Sequence, residues 1–434
     1  MRLDDSDRVS TQNVLELCAI VLATSALVGI RSWQADGVAQ PAWMSRNLKV
    51  LSAVSLMQDA ASELVYPLLP ILLTSVLGAP AAVVGLVEGV AEGAAALTKY
   101  VSGRVSDRVG RKPLVGLGYG MAAAGKVVVA AAGVWPIVLV GRVVDRVGKG
   151  IRGAPRDALL ADGVDHAQLG RVFGFHRAAD TLGAVIGPLI GLSVLAMTGG
   201  NIHLTLWVAV IPAVLSVVLV LWVREPRPPT VSDNGGPSLG KPAPHRSDPL
   251  PREFKHVVGA LTLIALVNFP DALILLRVSE LGYSVSGVVA AYVVYNLSYT
   301  LISYPAGALS DRLPRARVYA LGLVCFAVGY LGLGLVDGGW AVIVLLCVYG
   351  GFNAMTDGVG KAWVSSLVSP QVRGRAQGVF QGLAGGAVLF AGLWAGLTWE
   401  IGPGDGTMPL ILAGLVAVLA APVLWVCSRR PECV

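Results

Sequence analysis

Charge is scarce in this chain. Only 14% of its 434 residues are Asp, Glu, Lys or Arg, against about 25% in a soluble domain. A soluble protein of this length could not cover its core with so little polar surface. A cytosolic enzyme and a disordered chain are thereby excluded. Cysteine is scarce too: Cys18, Cys325, Cys347, Cys427 and Cys433 form no CxxC and no paired spacing, so no disulfide scaffold is expected. The five histidines show neither HxH nor HExxH, and no metal site or cofactor is expected. What the chain has instead is apolar bulk and glycine: 55% hydrophobic residues and 53 glycines, with a mean hydropathy of +0.69. A polytopic membrane protein is the reading that remains.

A spanning helix needs about 20 mostly apolar residues. Twelve such runs follow one another, at 48–77, 81–102, 113–132, 134–150, 171–197, 204–223, 257–278, 285–308, 317–336, 339–363, 375–398 and 408–427. Between the sixth and seventh lies a polar linker, 224–256, whose stretch Arg224–Glu253 holds eight of the 25 prolines and cannot build a core. The expected organisation is an N-terminal extension (1–47), a six-helix bundle (48–223), the linker, a second six-helix bundle (257–427) and a tail (428–434). Val14–Ile30 is an apolar run of 17 residues interrupted by Glu16, at the short limit for a span. The reading adopted is that translation begins at Met44, whose MSRNLKVL leads into the first bundle helix; the alternative is a further span.

The two halves share punctuation. Gly103-Arg-Val-Ser-Asp107-Arg108 follows the second span and Gly307-Ala-Leu-Ser-Asp311-Arg312 the eighth, 204 residues later; Gly170-Arg171 and Gly374-Arg375 open the fifth and eleventh spans at the same offset. Asp145-Arg-Val-Gly-Lys149 and Asp357-Gly-Val-Gly-Lys361 read as a third correspondence. A duplicated six-helix unit points to a transporter rather than an enzyme. Cations crowd the even-to-odd connections (Arg104, Arg108, Arg111 and Lys112; Lys149, Arg152, Arg156 and Arg171; Arg312, Arg315 and Arg317; Arg373 and Arg375), whereas the opposite connections hold mainly Glu280, Asp337, Glu400 and Asp405. By the positive-inside rule the basic connections, the linker and the C-terminus are expected in the cytoplasm.

The run Gly103-Arg-Val-Ser-Asp107-Arg108-Val-Gly110-Arg111-Lys112 resembles the loop signature of the major facilitator superfamily, departing from it at Val105 and Ser106. The resemblance covers 48–427. It implies an all-α fold of twelve transmembrane helices in two six-helix bundles. It also implies a conformational latch at Gly103, Asp107, Arg108 and Arg111, with Gly307, Asp311 and Arg312 as a second copy in which Pro314 replaces Gly110. Gly183-Ala-Val-Ile-Gly187-Pro188-Leu-Ile-Gly191 is similar to the family's antiporter motif, with Leu192 in place of its last glycine. That similarity implies export. Close helix packing explains the same small residues without any such role.

Charge inside a span costs about 2.5–3.5 kcal/mol on insertion scales, so each instance is a candidate. Asp59 and Glu63 are i, i+4 on one helical face, as are Glu88 and Glu92. Paired carboxylates in a low dielectric suit a proton carrier. By depth, Lys126, Arg142 and Arg146 are their nearest cationic partners, and a purely structural ion pair is the competing explanation. Lys99, Asp145, Arg146 and Lys149 are placed near the cytoplasmic ends. In the second half Asn268, Asp271, Tyr295, Asn296, Tyr299 and Asn353 are the candidates for a cavity wall, and Pro270 is placed to break the seventh span.

The expected function is secondary active transport, proton-coupled efflux of a small organic molecule such as a drug or metabolite. An importing symporter or uniporter, and a non-transporting receptor on the same fold, are the alternatives. The expected partners are that solute, protons and the lipid bilayer of the plasma membrane, with no nucleic acid and a monomer as the working unit.

Overall fold

The computed structural model describes residues 43–225, 249–401 and 406–427. The Val14–Ile30 run, most of the linker and the tail lie outside them. The described chain is helical, and thirteen helices of ten residues or more account for twelve passes.

The first bundle contains α1 (Arg46–Val65), prolonged to Val76 by 3-10 and π turns, α2 (Ala81–Val109), α3 (Arg111–Ala130), α4 (Trp135–Ala161), α5 (Leu169–Met197) and α6 (Ile202–Val220). The second contains α7 (Arg252–Ala265), α8 (Asp271–Glu280), α9 (Val285–Ser310), α10 (Arg315–Leu335), α11 (Trp340–Ser366), α12 (Arg373–Leu397) and α13 (Thr407–Cys427).

The seventh pass is broken where proline stands. α7 stops at Ala265, and Pro270 occupies the N-cap of α8, since proline lacks the N–H that a continuing helix needs. Carbonyls freed by the break find donors. Trp394 Nε1 donates to Leu266 O at 2.8 Å and the Tyr330 hydroxyl to Phe269 O at 3.4 Å, as backbone at membrane depth requires.

Eight of the segments among the described residues are long and apolar enough to cross a membrane. The passes outside that set are α2, α4, α7/α8 and α9, which carry Glu88, Glu92, Arg142, Arg146, Asn268, Asp271 and the Tyr292–Tyr299 stripe. Large apolar side chains cover the outside, among them Leu97, Met197, Leu221, Leu397 and Leu419, each more than two-thirds exposed. An apolar exterior of this extent is matched to lipid.

Glycine sets how closely the helices approach. α3 and α4 meet backbone to backbone: a Cβ on Gly125 would lie 2.5 Å from Gly141 O, and one on Gly118 2.6 Å from Gly148 O. Gly183 and Gly187 of α5 lie against Leu56 and Ala60 of α1 in the same way. Seams of small residues are how membrane helices gain van der Waals contact without a hydrophobic drive.

Three expectations need correction. α4 does not end at 150 but runs to Ala161, through Pro155, so Arg152, Arg156 and Asp157 are buried helical residues rather than a surface connection. Glycines here mark packing rather than a turn: Gly148 lies against Gly118 of α3 and Gly150 against Ala95 and Thr98 of α2. Gly103 likewise does not follow the second span. It lies within α2, and the chain turns at Gly110, whose φ of +97° suits glycine. Finally, Asp145 and Asp357 are not equivalent. Asp145 lies ten residues beyond Trp135 and Asp357 seventeen beyond Trp340; at those depths Asp357 matches Arg152.

Candidate functional site

The two bundles lock at the end where the basic connections gather. The Asp107 carboxylate, from α2, accepts from the Gly374 and Arg375 amides at the start of α12, at 3.1 and 2.8 Å. Asp311, just after α9, accepts from the Gly170 and Arg171 amides at the start of α5, at 2.7 and 3.0 Å. Helix N-termini carry unsatisfied N–H groups and partial positive charge, so a carboxylate there is doubly suited. Burial pushes the Asp311 carboxyl above its ordinary range, against the pull of those two amides.

The 204-residue offset persists one layer further out. Arg111 donates to Pro370 O at 2.7 Å, and Arg315 donates to His166 O at 2.5 Å. Arg111 also pairs with Asp162. Gly103 packs on Gly378 and Gly374, and Gly307 on Gly170 and Gly174. Arg108 and Arg312 are exposed and, among the described residues, make no bond across the interface. Arg315 and Arg373 were expected only as cations of the basic connections, yet both join the lock; the buried Arg373 guanidinium donates to Ala161 O at 2.5 Å. The same offset could have singled out Arg315, which stands 204 residues after Arg111.

Above this lock is a cavity of about 480 Å³ between the bundles. Asp59 and Glu63 line it from α1, and Asn268, Asp271, Tyr295, Asn296, Tyr299 and Asn353 from the second bundle. These expected candidates are therefore brought together. Glu63 accepts a 2.8 Å bond from the Tyr292 hydroxyl of α9, not from Lys126 or Arg142. Tyr295 donates to Asp271 at 3.0 Å and accepts from Asn353 at 2.7 Å, and Tyr349 donates to the other Asp271 oxygen at 2.8 Å.

Toward the lock, charges alternate in a network that includes Arg156, expected in a surface connection. Arg156 pairs with Asp157 at 3.0 Å, and Arg177 with Asp180 at 2.5 Å and with Asp357 of the other bundle. Lys361 reaches Asp157 at 3.3 Å and Asp357 at 3.5 Å, and Gln381 donates to Asp157 at 2.9 Å. Asp157, fully buried, thus bridges the bundles.

The remaining candidates form a separate cluster inside the first bundle. Arg142 holds Glu88 at 2.6 Å, Arg146 holds Glu92 at 2.9 Å, and Lys126 holds Asp145 at 2.9 Å. Arg142, Asp145 and Arg146 are buried well inside α4, away from the helix end where Asp145 and Arg146 were expected. Gly183, Gly187 and Gly191 lie along the α1 seam, Gly191 beside Leu64. Pro188 joins the wall of a second, mostly apolar compartment of about 790 Å³.

The Major Facilitator Superfamily profile matches residues 51–276 and 257–432. This chain belongs to the major facilitator superfamily. An uncharacterized MFS-type transporter of Methanocaldococcus jannaschii is 30% identical over 396 residues, spanning 88% of this chain and 94% of that protein. The class D tetracycline resistance protein of Salmonella ordonez is 26% identical over 353 residues, 76% of this chain and 83% of its own length. Among solved structures, the human organic anion transporter MFSD10 superposes with a TM-score of 0.73 at 18% identity, over 89% of this chain and all of that one. That likeness concerns the fold. Together these findings make the chain a multi-pass membrane protein of a transporter superfamily, with two helical bundles around a cavity.

Proposed function

We propose that this protein is a proton-coupled secondary transporter that exports a small organic solute by alternating access. The carrying observation is the Tyr292–Glu63 bond, in which a carboxylate that can load a proton also joins the two bundles at the cavity. Protonating Glu63 changes the strength of that junction and so biases the two states.

The basic end is read as cytoplasmic, which makes the locked arrangement outward-facing. Export is supported by likeness to a tetracycline resistance protein. The glycine motif of α5 supports it less, because the α1 seam accounts for Gly183 and Gly187. Asp59 and Glu63 are the coupling candidates; Glu88 and Glu92, each paired with an arginine, are read as structural or as relays.

Import by symport is the second reading. It is favoured by the presence of Lys99, Lys149 and Arg152 in the same cavity as Asp59 and Glu63: a proton on a carboxylate and an anion on the cations would stabilise each other. Inside-out vesicles separate the two. Solute entry should make the lumen more alkaline for an antiporter and more acidic for a symporter. Absence of any flux across a broad solute panel would sink both readings in favour of a receptor.

A further inference from the structure

Three of the cavity's cations are spoken for. Arg156, Arg177 and Lys361 are matched by Asp157, Asp180 and Asp357. Three others, Lys99, Lys149 and Arg152, line the same cavity without a carboxylate within 4 Å among the described residues. Arg152 is the telling one. It is only 4% exposed, its guanidinium lies 4.4 Å over the Tyr119 ring, and its Nη1 has no hydrogen-bond partner. A buried charged donor left unpaired is costly, and Arg152 belongs to the wall of a space large enough for a ligand group.

The second compartment lies beside this cavity. Its walls are largely apolar, with Leu69, Val84, Leu275, Val288 and Leu389 among them, and the two carboxylates that also line it, Glu88 and Glu92, are matched by Arg142 and Arg146. Lys99, Tyr292, Gly385 and Val388 line both compartments, so the two adjoin at these residues. A solute filling both would place charge at one end and hydrocarbon at the other.

We propose that the solute is an amphipathic organic anion, its carboxylate or phosphoryl head held by Lys149 and Arg152 with Lys99 at the junction, and its apolar body in the adjoining compartment. This rests on the transporter reading but is tested by binding alone, without a gradient. Purified protein in nanodiscs is titrated with 2-naphthoate, 2-naphthyl phosphate, the neutral 2-naphthylmethanol, the cationic 2-naphthylmethylammonium and acetate. At least one of the two naphthyl anions should bind tenfold or more tighter than the neutral and cationic analogues, and acetate should bind more weakly than either; which anion leads identifies the head group.

Arg152→Gln should abolish that preference while leaving 2-naphthylmethanol binding unchanged. Lys149→Gln, at an exposed cavity position, should reduce it at least severalfold and keeps the test available if Arg152→Gln does not fold. Equal or tighter binding of the neutral or cationic analogue overturns the proposal, as does an anion preference that survives both substitutions or no anion binding at millimolar concentration. Anion binding without flux in vesicles would instead overturn the transporter reading and leave the site standing.

Discussion

The Tyr292 hydroxyl of the second bundle donates to Glu63 of the first at 2.8 Å, tying a cavity carboxylate to the partner bundle. Nearer the basic end, the bundles are joined by the Asp107 and Asp311 caps, which repeat one another through the internal duplication. The first junction involves a group that can take up a proton, and the second lies where the bundles meet at the basic end.

Glu63→Gln keeps an acceptor for Tyr292 and removes the titrating group. In proteoliposomes, solute exchange between equal compartments should persist, while accumulation driven by ΔpH alone should fall at least tenfold. Tyr292→Phe should do the reverse in kind, altering exchange rate while leaving accumulation coupled to pH. Undiminished ΔpH-driven accumulation by Glu63→Gln, and by its double variant with Glu92→Gln, would remove both acids from the coupling role.

Asp107→Ala and Asp311→Ala should weaken the closed basic end by similar amounts, since each removes one carboxylate that caps two amides. Loss of a helix N-cap costs roughly 0.5–2 kcal/mol, which corresponds to an approximately 2- to 30-fold rise in the opened population. Spin labels on Val109→Cys and Gln371→Cys would report it as growth of the long-distance population. A shift for only one of the two aspartates would show that the repeat is not energetically reciprocal.

Gly103→Ala should prevent full closure at that end. The added methyl would lie 2.5 Å from Gly374 O and 2.6 Å from Gly378 Cα, well inside contact distance, and backbone cannot step aside cheaply. The same label pair should show a displaced closed distance. Gly120→Ala, with nothing within 4 Å of its new methyl, is the control and should leave the distribution unchanged.

Asp145→Ala should be strongly destabilising, by about 3–5 kcal/mol, because it strands Lys126 in a buried site. Adding Lys126→Met should recover most of the loss, as replacing both members of a buried pair by apolar groups often does. Thermal unfolding in detergent measures both. If the single variant melts like the parent, the pair is not carrying the α3–α4 contact.

Much of the architecture was legible in the amino-acid order. Twelve apolar runs, the break at Pro270 and the duplication at Asp107/Asp311 and Gly170/Gly374 are local properties, set by hydropathy, proline chemistry and simple counting. They led to the two-bundle fold and to the residues of the basic end. Arg142 and Arg146 do stand against Glu88 and Glu92, as depth suggested, but the depth of residues 152–157 and the partners of Glu63 and Asp157 were not legible. Glycine and proline in 148–155 read as a connection, yet α4 continues through them because neighbouring backbones pack into the space their missing side chains leave. Glu63 found Tyr292 rather than a cation, and Asp157 became a bridge between bundles. Partner choice depends on which helix faces lie opposite across an interface some two hundred residues apart in the chain. Only the packed tertiary structure decides that, and it is also what left the buried Arg152 Nη1 without a hydrogen-bond partner among the described residues.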